Sequence, residues 1–386
     1  MSWTHRDRVL AALNHEEADR VAIDFGGTHS TTATAPAYDQ LKEHLGLTHE
    51  TVVMSELFQT VEPHISMLER FDVDARYLGF PGGVIPATKE EAAERHAFRD
   101  GWGVVWEEGP EYDENPASCM PVDGPFYNKE PDLAELESFE VPNPDNPEHF
   151  EGLAERAKAL RETGCAVVFN TPAGCACLGQ MIRGFGDWLR DLYKHREYSE
   201  RMLDINNEWW IQMTRNALKA IGNNVDLIVY ADDLGSQQGP LFSPDYYREV
   251  IKPRHYHAIQ TIKAEYDVKV LFHSCGAVSD FIDDLADVGV DALNPVQVNA
   301  VGMEPERLKE RFGERMAFWG GIDTQRLLPE GTTAEVAAET GRIIDVLGKG
   351  GGYVLNSVHN IQVEVPPENV VAMFDSARAH RYGRAE

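Results

Sequence analysis

Val268-Lys-Val-Leu-Phe-His-Ser-Cys-Gly276 is a short apolar, β-branched run that ends on His273, carries Cys275 two residues later and turns at Gly276. Such a run reads as a buried strand. Residues i and i+2 at a strand end point to the same side, so an imidazole and a thiol converge beside the turn. Their size and softness suit Zn²⁺. The bland alternative is a buried histidine beside an inert cysteine, since a neutral thiol packs as a small hydrophobe. The rest of the chain decides between them.

Seven further runs resemble this one: Val21–Phe25, Ala75–Phe80, Ala166–Asn170, Asp226–Ala231, Asp291–Pro295, Met316–Gly320 and Gly352–Asn356. Several are almost continuously hydrophobic, as strands covered on both faces are. Amphipathic stretches lie between them, including Tyr198–Ile221, Pro244–Tyr266, Ala277–Val288 and Thr333–Leu347. Ser243 with Pro244 reads as a helix start, and Gly289 as a helix stop before strand six. Eight β/α alternations in one chain predict an α/β fold, a single (β/α)₈ TIM barrel over residues 1–386. The competitor is a doubly wound open sheet, but no G-x-G-x-x-G follows strand one to support dinucleotide binding. Residues Gly82–Phe150 break the alternation and are rich in Trp, Tyr, Pro and acidic residues, with Gly101–Trp106 reading as a strand. They predict an insertion after strand two, over the barrel mouth.

Composition narrows the partners. The 386 residues carry a net charge of −29, which repels nucleic acid and anionic membrane. No apolar run is long enough to span a bilayer, and the first residues lack the apolar core of a secretory signal. Five irregularly spaced cysteines do not form a disulfide framework. Together these predict a cytoplasmic protein with reduced thiols. Self-association is left open.

In a barrel of this kind the active site lies at the C-terminal strand ends. Six of those ends are polar here. Strand one ends in Asp24-Phe-Gly-Gly-Thr-His29, with glycines that let the backbone approach a ligand. Strand four ends in Asp232-Asp233, five in His273-Ser-Cys275, and six in Asn294-Pro-Val-Gln297. Strand seven leads to Asp323, and strand eight to Asn356-Ser-Val-His359-Asn360-Ile-Gln362. Buried polar groups cost free energy unless paired, so this clustering is hard to explain by packing. Each residue has a plainer reading: Asp24, Asp232 and Asp233 as caps, Asn294 and Gln297 as loop braces, His359 as a satisfied core histidine. Cys175 and Cys177 form a C-x-C after strand three. Positions i and i+2 diverge on a helix, so this pair reads as packing.

With these residues assembled, the whole chain resembles the uroporphyrinogen decarboxylase superfamily. The resemblance runs through Arg6–Asn14, Ala18–Ala22, Leu241–Tyr247, Ile251–Pro253, Gly351–Asn356 and Pro366–Val370. It implies the same (β/α)₈ barrel. True uroporphyrinogen decarboxylases have an Arg-rich segment after strand one and a pyrrole-binding Asp after strand two. Here those places hold Gly26–Thr34, without arginine, and Gly79–Gly83, without an acid. An octa-anionic substrate without cations near that segment is physically implausible. The other branch comprises zinc methyltransferases that serve corrinoid proteins and hold zinc with His-x-Cys after strand five and a distant Cys after strand eight. The first half of that motif stands here as His273 and Cys275, and His359 stands where the distant Cys would be.

The resemblance therefore implies a zinc-dependent methyltransferase that moves a methyl group between a small molecule and a corrinoid protein, with His273, Cys275 and His359 as metal ligands. Imidazole in place of thiolate leaves a less negative, more acidic metal, which puts a thiol substrate in doubt. Asp232 or Asp233 would supply a fourth ligand or a proton acceptor. Asp24, Asn294, Gln297, Asp323, Asn360 and Gln362 would orient the substrate. No D-x-H-x-x-G motif occurs in the chain, so the corrinoid (cobalamin) would arrive on a separate polypeptide. Two rivals are a decarboxylase or lyase for another small acidic substrate and a non-catalytic barrel that binds without reacting.

Overall fold

In the computed structural model, which describes residues 3–55, 57–81, 88–92, 97–107 and 119–381, each of the eight expected runs contains a strand. They are β1 (Ala22–Ile23), β2 (Ala75–Leu78), β3 (Ala166–Ala173), β4 (Leu227–Ala231), β5 (Lys269–His273), β6 (Ala292–Asn294), β7 (Ala317–Trp319) and β8 (Tyr353–Leu355). All pair in parallel, in the order β1-β8-β7-β6-β5-β4-β3-β2. The gap between β1 and β2 is bridged by Asp74, whose backbone N–H donates to the Ile23 carbonyl (2.8 Å) and whose carboxylate accepts the Ile23 N–H (2.8 Å). The result is a nearly closed TIM-like barrel.

Alternation along the strands sorts the side chains. Ile23, Val167, Ile228, Val270 and Phe318 face outward into the core shared with the surrounding helices. Burying each such side chain stabilises the fold by about 1.5–3 kcal/mol. The other face points into the barrel, where small side chains such as Ala22, Ala75, Ala166, Ala292 and Ala317 leave space. The helix His5–Leu13 fills it with Val9, Ala12 and Leu13. Thr4 and Asp7 start that helix with a reciprocal capping box.

One step higher on the same inward face the chemistry changes. Ala22 is followed at i+2 by Asp24, Val168 by Asn170, Leu271 by His273, Ala292 by Asn294 and Val354 by Asn356. The interior is thus apolar below and polar at the C-terminal end. The Asp residues one position before β2, β4 and β6 work at the opposite end. Asp74, Asp226 and Asp291 each accept a backbone N–H of the neighbouring strand and pair with a cation, Arg20, Arg161 and Lys263 respectively.

The helix boundaries follow the sequence with refinements. Tyr198–Ile221 lies within a helix Arg196–Ile221, and Thr333–Leu347 stands as expected. Pro244–Tyr266 is broken by a π-turn at Tyr247–Ile251 before Lys252–Glu265. Ser243 caps its helix by accepting the Tyr246 N–H (3.2 Å), and Gly289 ends Ile282–Val288 in the left-handed region. A two-stranded antiparallel ribbon, Val52–Ser55 with Thr60–Glu62, lies between β1 and β2.

Between β2 and β3 the described residues include a four-stranded antiparallel sheet: Thr88–Ala92, Ala97–Arg99, Val105–Glu107 and Met120–Asp123. Asp100 organises its central turn, accepting N–H groups from Trp102 and Val104 and from the Trp106 indole. Trp102 then packs edge-on against Trp209 of the helix Arg196–Ile221 (centroids 4.8 Å apart). The remainder of the expected insertion, residues 82–87, 93–96 and 108–118, lies outside the described residues.

Candidate metal centre

His273 is the last residue of β5, and its ring enters the polar upper layer of the barrel. The Nδ1 atom lies 2.7 Å from Asn294 Oδ1 at the end of β6 and 3.1 Å from Ser30 Oγ in the loop after β1. Asn294 points its amide nitrogen at the Trp319 carbonyl (3.4 Å), so Oδ1 is the atom that accepts from His273. With the proton on Nδ1, the lone pair of the neutral ring is on Nε2. That Nε2 faces Cys275 Sγ at 3.6 Å.

The turn carrying Cys275 is fixed by its neighbours. The Cys275 N–H donates to Asp233 Oδ1 (2.8 Å), and the Gly276 N–H donates to Gln297 Oε1 (2.6 Å). Gly276 has φ +88°, and a Cβ there would stand 2.4 Å from the Gly235 carbonyl carbon, so the loops after β4 and β5 meet backbone to backbone. His359, in the loop after β8, brings its ring to 6.0 Å from the His273 ring. One donor atom each from His273, Cys275 and His359 lie within 4.8 Å of one another.

These residues fit a zinc ion. With Zn–N near 2.05 Å and Zn–S near 2.3 Å, a tetrahedral N···S edge is about 3.6 Å, the separation of the His273 and Cys275 donors. A ligating histidine normally donates its other N–H to a fixed acceptor, as His273 does to Asn294. Burial lowers the His359 pKa to about 3, with His273 and His29 adding to the effect, so its ring is neutral and its lone pair is free of a competing proton. Burial, with the charge of Asp233, pushes the Cys275 thiol pKa well up. A dication would supply the compensating charge that lets the thiolate form.

The other residues singled out in the sequence take distinct places. Asp233, Asn294 and Gln297 hold the metal-capable residues from behind. Asp24 is fully buried, accepting the Gly27 N–H and the Trp319 indole N–H (both 2.8 Å), and burial raises its pKa to about 6. Gly27 stands close over that carboxylate, where a Cβ would sit 2.6 Å from Oδ1, so this glycine serves Asp24. Asp232 is also fully buried. Its oxygens accept the Ala176 and Cys177 N–H groups at the start of the helix Cys175–Arg183, and Oδ2 meets His255 Nε2 at 2.9 Å. Asp323 sits at the rim, bonded to Asn299 and to the N–H groups of Gln325 and Leu327. Asn360 accepts the Thr32 N–H, and Gln362 donates to the Asn360 carbonyl. Cys175 is buried in contact with Asp232, whereas Cys177 Sγ accepts the Asp233 N–H (3.2 Å).

Three contributors carried no sequence signal of their own. Asn170 ends the third apolar run, and its amide reaches His29 across the barrel. Ser30 looks like part of a small polar loop but touches the His273 ring. His255 sits in mid-helix, where only the fold reveals its contact with Asp232.

The sequence profile of the uroporphyrinogen decarboxylase (URO-D) family matches residues 118–380. The uroporphyrinogen decarboxylase of Legionella pneumophila is 23% identical over 377 residues, 95% of each chain. The methylcobamide:CoM methyltransferase MtaA of Methanosarcina barkeri is 29% identical over 201 residues, 52% of this chain and 53% of that one. Among solved structures, a methyltransferase from Methanosarcina mazei shares the fold with a TM-score of 0.68 at 20% identity, covering 98% of this chain and 99% of its own. Among the described residues, no helix is long and apolar enough to cross a membrane.

Proposed function

Because this chain belongs to the uroporphyrinogen decarboxylase family, we propose that it is the zinc-dependent methyltransferase kind of member, a cytoplasmic enzyme moving a methyl group between a small substrate and a corrinoid carried on a separate protein. The observation that carries this reading is the 3.6 Å approach of His273 Nε2 to Cys275 Sγ, with a His359 donor in the same 4.8 Å cluster at the C-terminal end of the barrel. His273, Cys275 and His359 would hold zinc and leave a fourth position open. The metal would supply Lewis acidity toward the heteroatom that gives or takes the methyl group. The chain's own part is orientation: Asn294 fixes the His273 tautomer, Asp233 and Gln297 fix the Cys275 turn, and the polar layer around them receives the substrate.

A second reading, decarboxylation of another small acidic molecule, is favoured by the full-length likeness to the Legionella decarboxylase. Elemental analysis and a methyl-transfer assay separate the two. Purified protein should hold about one zinc per chain and convert methylcobalamin to cob(I)alamin when supplied with an acceptor, as followed by absorbance. His359→Ala should weaken zinc binding, and His359→Cys should keep it. A protein without zinc, or near-native zinc affinity in folded His359→Ala, would reject the three-ligand site.

A further inference from the structure

We propose that His29 selects the substrate of this site: its Nε2 accepts a hydrogen bond from an O–H or N–H group that the substrate carries beside its metal-reactive heteroatom. This rests on the metal centre proposed above and adds the class of molecule it takes.

His29 lies in the loop after β1, its ring 6.0 Å from the His273 ring and tilted by 48°. His359 stands at the same 6.0 Å separation. The cluster of mutually close donors contains His273, Cys275 and His359 but not His29, so this third imidazole is beside the metal position and not part of it.

Its tautomer is fixed by Asn170. The Asn170 amide nitrogen donates to the carbonyls of Gly27 (3.0 Å) and Val168 (3.2 Å), which leaves Oδ1 as the atom facing His29. Oδ1 takes the His29 backbone N–H at 3.2 Å and stands 3.3 Å from Nδ1. A carbonyl oxygen can only accept, so the ring proton sits on Nδ1 and the lone pair on Nε2. Burial and the neighbouring His273 lower the ring's pKa to about 4, which agrees with a neutral imidazole. Nε2 has no hydrogen-bond partner among the described residues, and His29 is only partly buried. The loop cannot easily turn this atom elsewhere, because the next residue, Ser30, is held against His273 (3.1 Å).

A fixed acceptor at the edge of a metal position discriminates by what it lacks. A ligand with a donor satisfies Nε2; a ligand that covers it with an apolar group or an ether oxygen desolvates it without replacement. The favoured molecules are therefore small and hydroxyl- or amino-bearing.

The test uses the full chain loaded with Co²⁺, whose visible bands report a thiol joining the metal, and three probes: 2-mercaptoethanol, ethanethiol and 2-methoxyethanethiol. Wild type should bind 2-mercaptoethanol about tenfold more tightly than the other two, which lack a donor. In His29→Phe the preference should disappear while cobalt content stays the same. Equal binding of the three probes by wild type would overturn the proposal without recourse to a variant. So would a preference that survives in His29→Phe. If wild type takes up no cobalt, the metal centre itself is rejected, an outcome distinct from cobalt-loaded protein that ignores the hydroxyl.

Discussion

Two groups of metal-capable side chains meet at the Asp232–Asp233 pair, Asp232 belonging to one and Asp233 bracing the other, and they differ in how their donor atoms are used. On one side His273, Cys275 and His359 gather at the barrel mouth. On the other, Cys175, Asp232 and His255 also place one donor atom each within 4.8 Å of one another, but all three are fully buried. There the His255–Asp232 contact of 2.9 Å is a hydrogen-bond length, shorter than the roughly 3.4 Å N···O edge of a tetrahedral zinc site. Tyr247 OH meets His255 Nδ1 (3.1 Å), Tyr230 OH donates to Cys175 Sγ (3.7 Å), and two backbone N–H groups fill Asp232. The buried group is a closed hydrogen-bond network that holds the helix Cys175–Arg183 to β4. Residue type and proximity are alike in the two groups. What distinguishes the candidate metal centre is access and sparse pairing, His273 Nε2 meeting Cys275 Sγ at a length that a shared metal would also span.

The largest contrast should come from exchanging one thiol in each group. Cys275→Ala should weaken zinc binding by about 10³-fold or more, roughly 4 kcal/mol, because loss of a ligand should exceed the 10–100-fold cost of losing a supporting partner. Cys175→Ala should keep zinc at one per chain. Competition titration against a chelator measures both, and equal zinc loss in the two variants would erase the distinction.

Asp232→Ala should then show the opposite signature. Removing the carboxylate strips His255 and two helix-start N–H groups of their acceptor, at a cost of about 3 kcal/mol in denaturant unfolding. Zinc stoichiometry should be unchanged. A folded variant that has lost its zinc would mean that Asp232 belongs to the metal centre after all.

Asp24 extends the comparison to a buried carboxylate beneath the open site. Its pKa is raised from 3.8 to about 6, burial outweighing the donors that face it. The folded state therefore holds this proton more tightly than the unfolded chain. Its contribution to stability is full below about pH 4 and is lost as pH rises through about 6, by roughly 2–3 kcal/mol. The stability difference between wild type and Asp24→Asn, measured at about pH 4.5 and 7.5, should shift in favour of the variant as pH rises. A pH-independent difference would show that the folded pKa of Asp24 is not raised, its carboxyl being ionised to the same extent in the folded and unfolded chain.

The barrel was legible in the sequence because strands buried on both faces write continuous apolar runs, and each of the eight contains its strand. His273 and Cys275 were legible because a strand end fixes their relative direction within three residues. His359 was reached through family resemblance, since no local rule links a loop after β8 to one after β5. Asp24 and Asp232 were ambiguous for a physical reason: a carboxylate beside a strand end looks the same in sequence whether it faces substrate or accepts N–H groups, and both accept buried N–H groups here. The supporting roles of Asn170 and Ser30 depend on contacts across the barrel. Parts of the expected insertion lie outside the described residues, and its described sheet is placed by Trp102 on Trp209, a contact that alternation alone does not announce.

The smallest effect should come from Asn294, which stands between the two kinds of behaviour: buried and hydrogen-bonded, yet in direct contact with a metal-capable ring. If it acts only as packing, Asn294→Leu should change stability and leave zinc affinity alone. If it fixes His273 with the proton on Nδ1, its removal should let the ring exchange tautomers and turn toward Ser30, the remaining partner of Nδ1. Nε2 would then present its lone pair toward Cys275 only part of the time. Zinc affinity should fall about tenfold, some 1.4 kcal/mol, at the lower end for a supporting partner because an amide polarises the ring less than a carboxylate would. Asn294→Asp should restore or exceed the wild-type affinity, since the acceptor is kept and made negative. Loss of zinc affinity in Asn294→Leu with recovery in Asn294→Asp separates orientation of His273 from simple filling of space, which the aspartate would not repair.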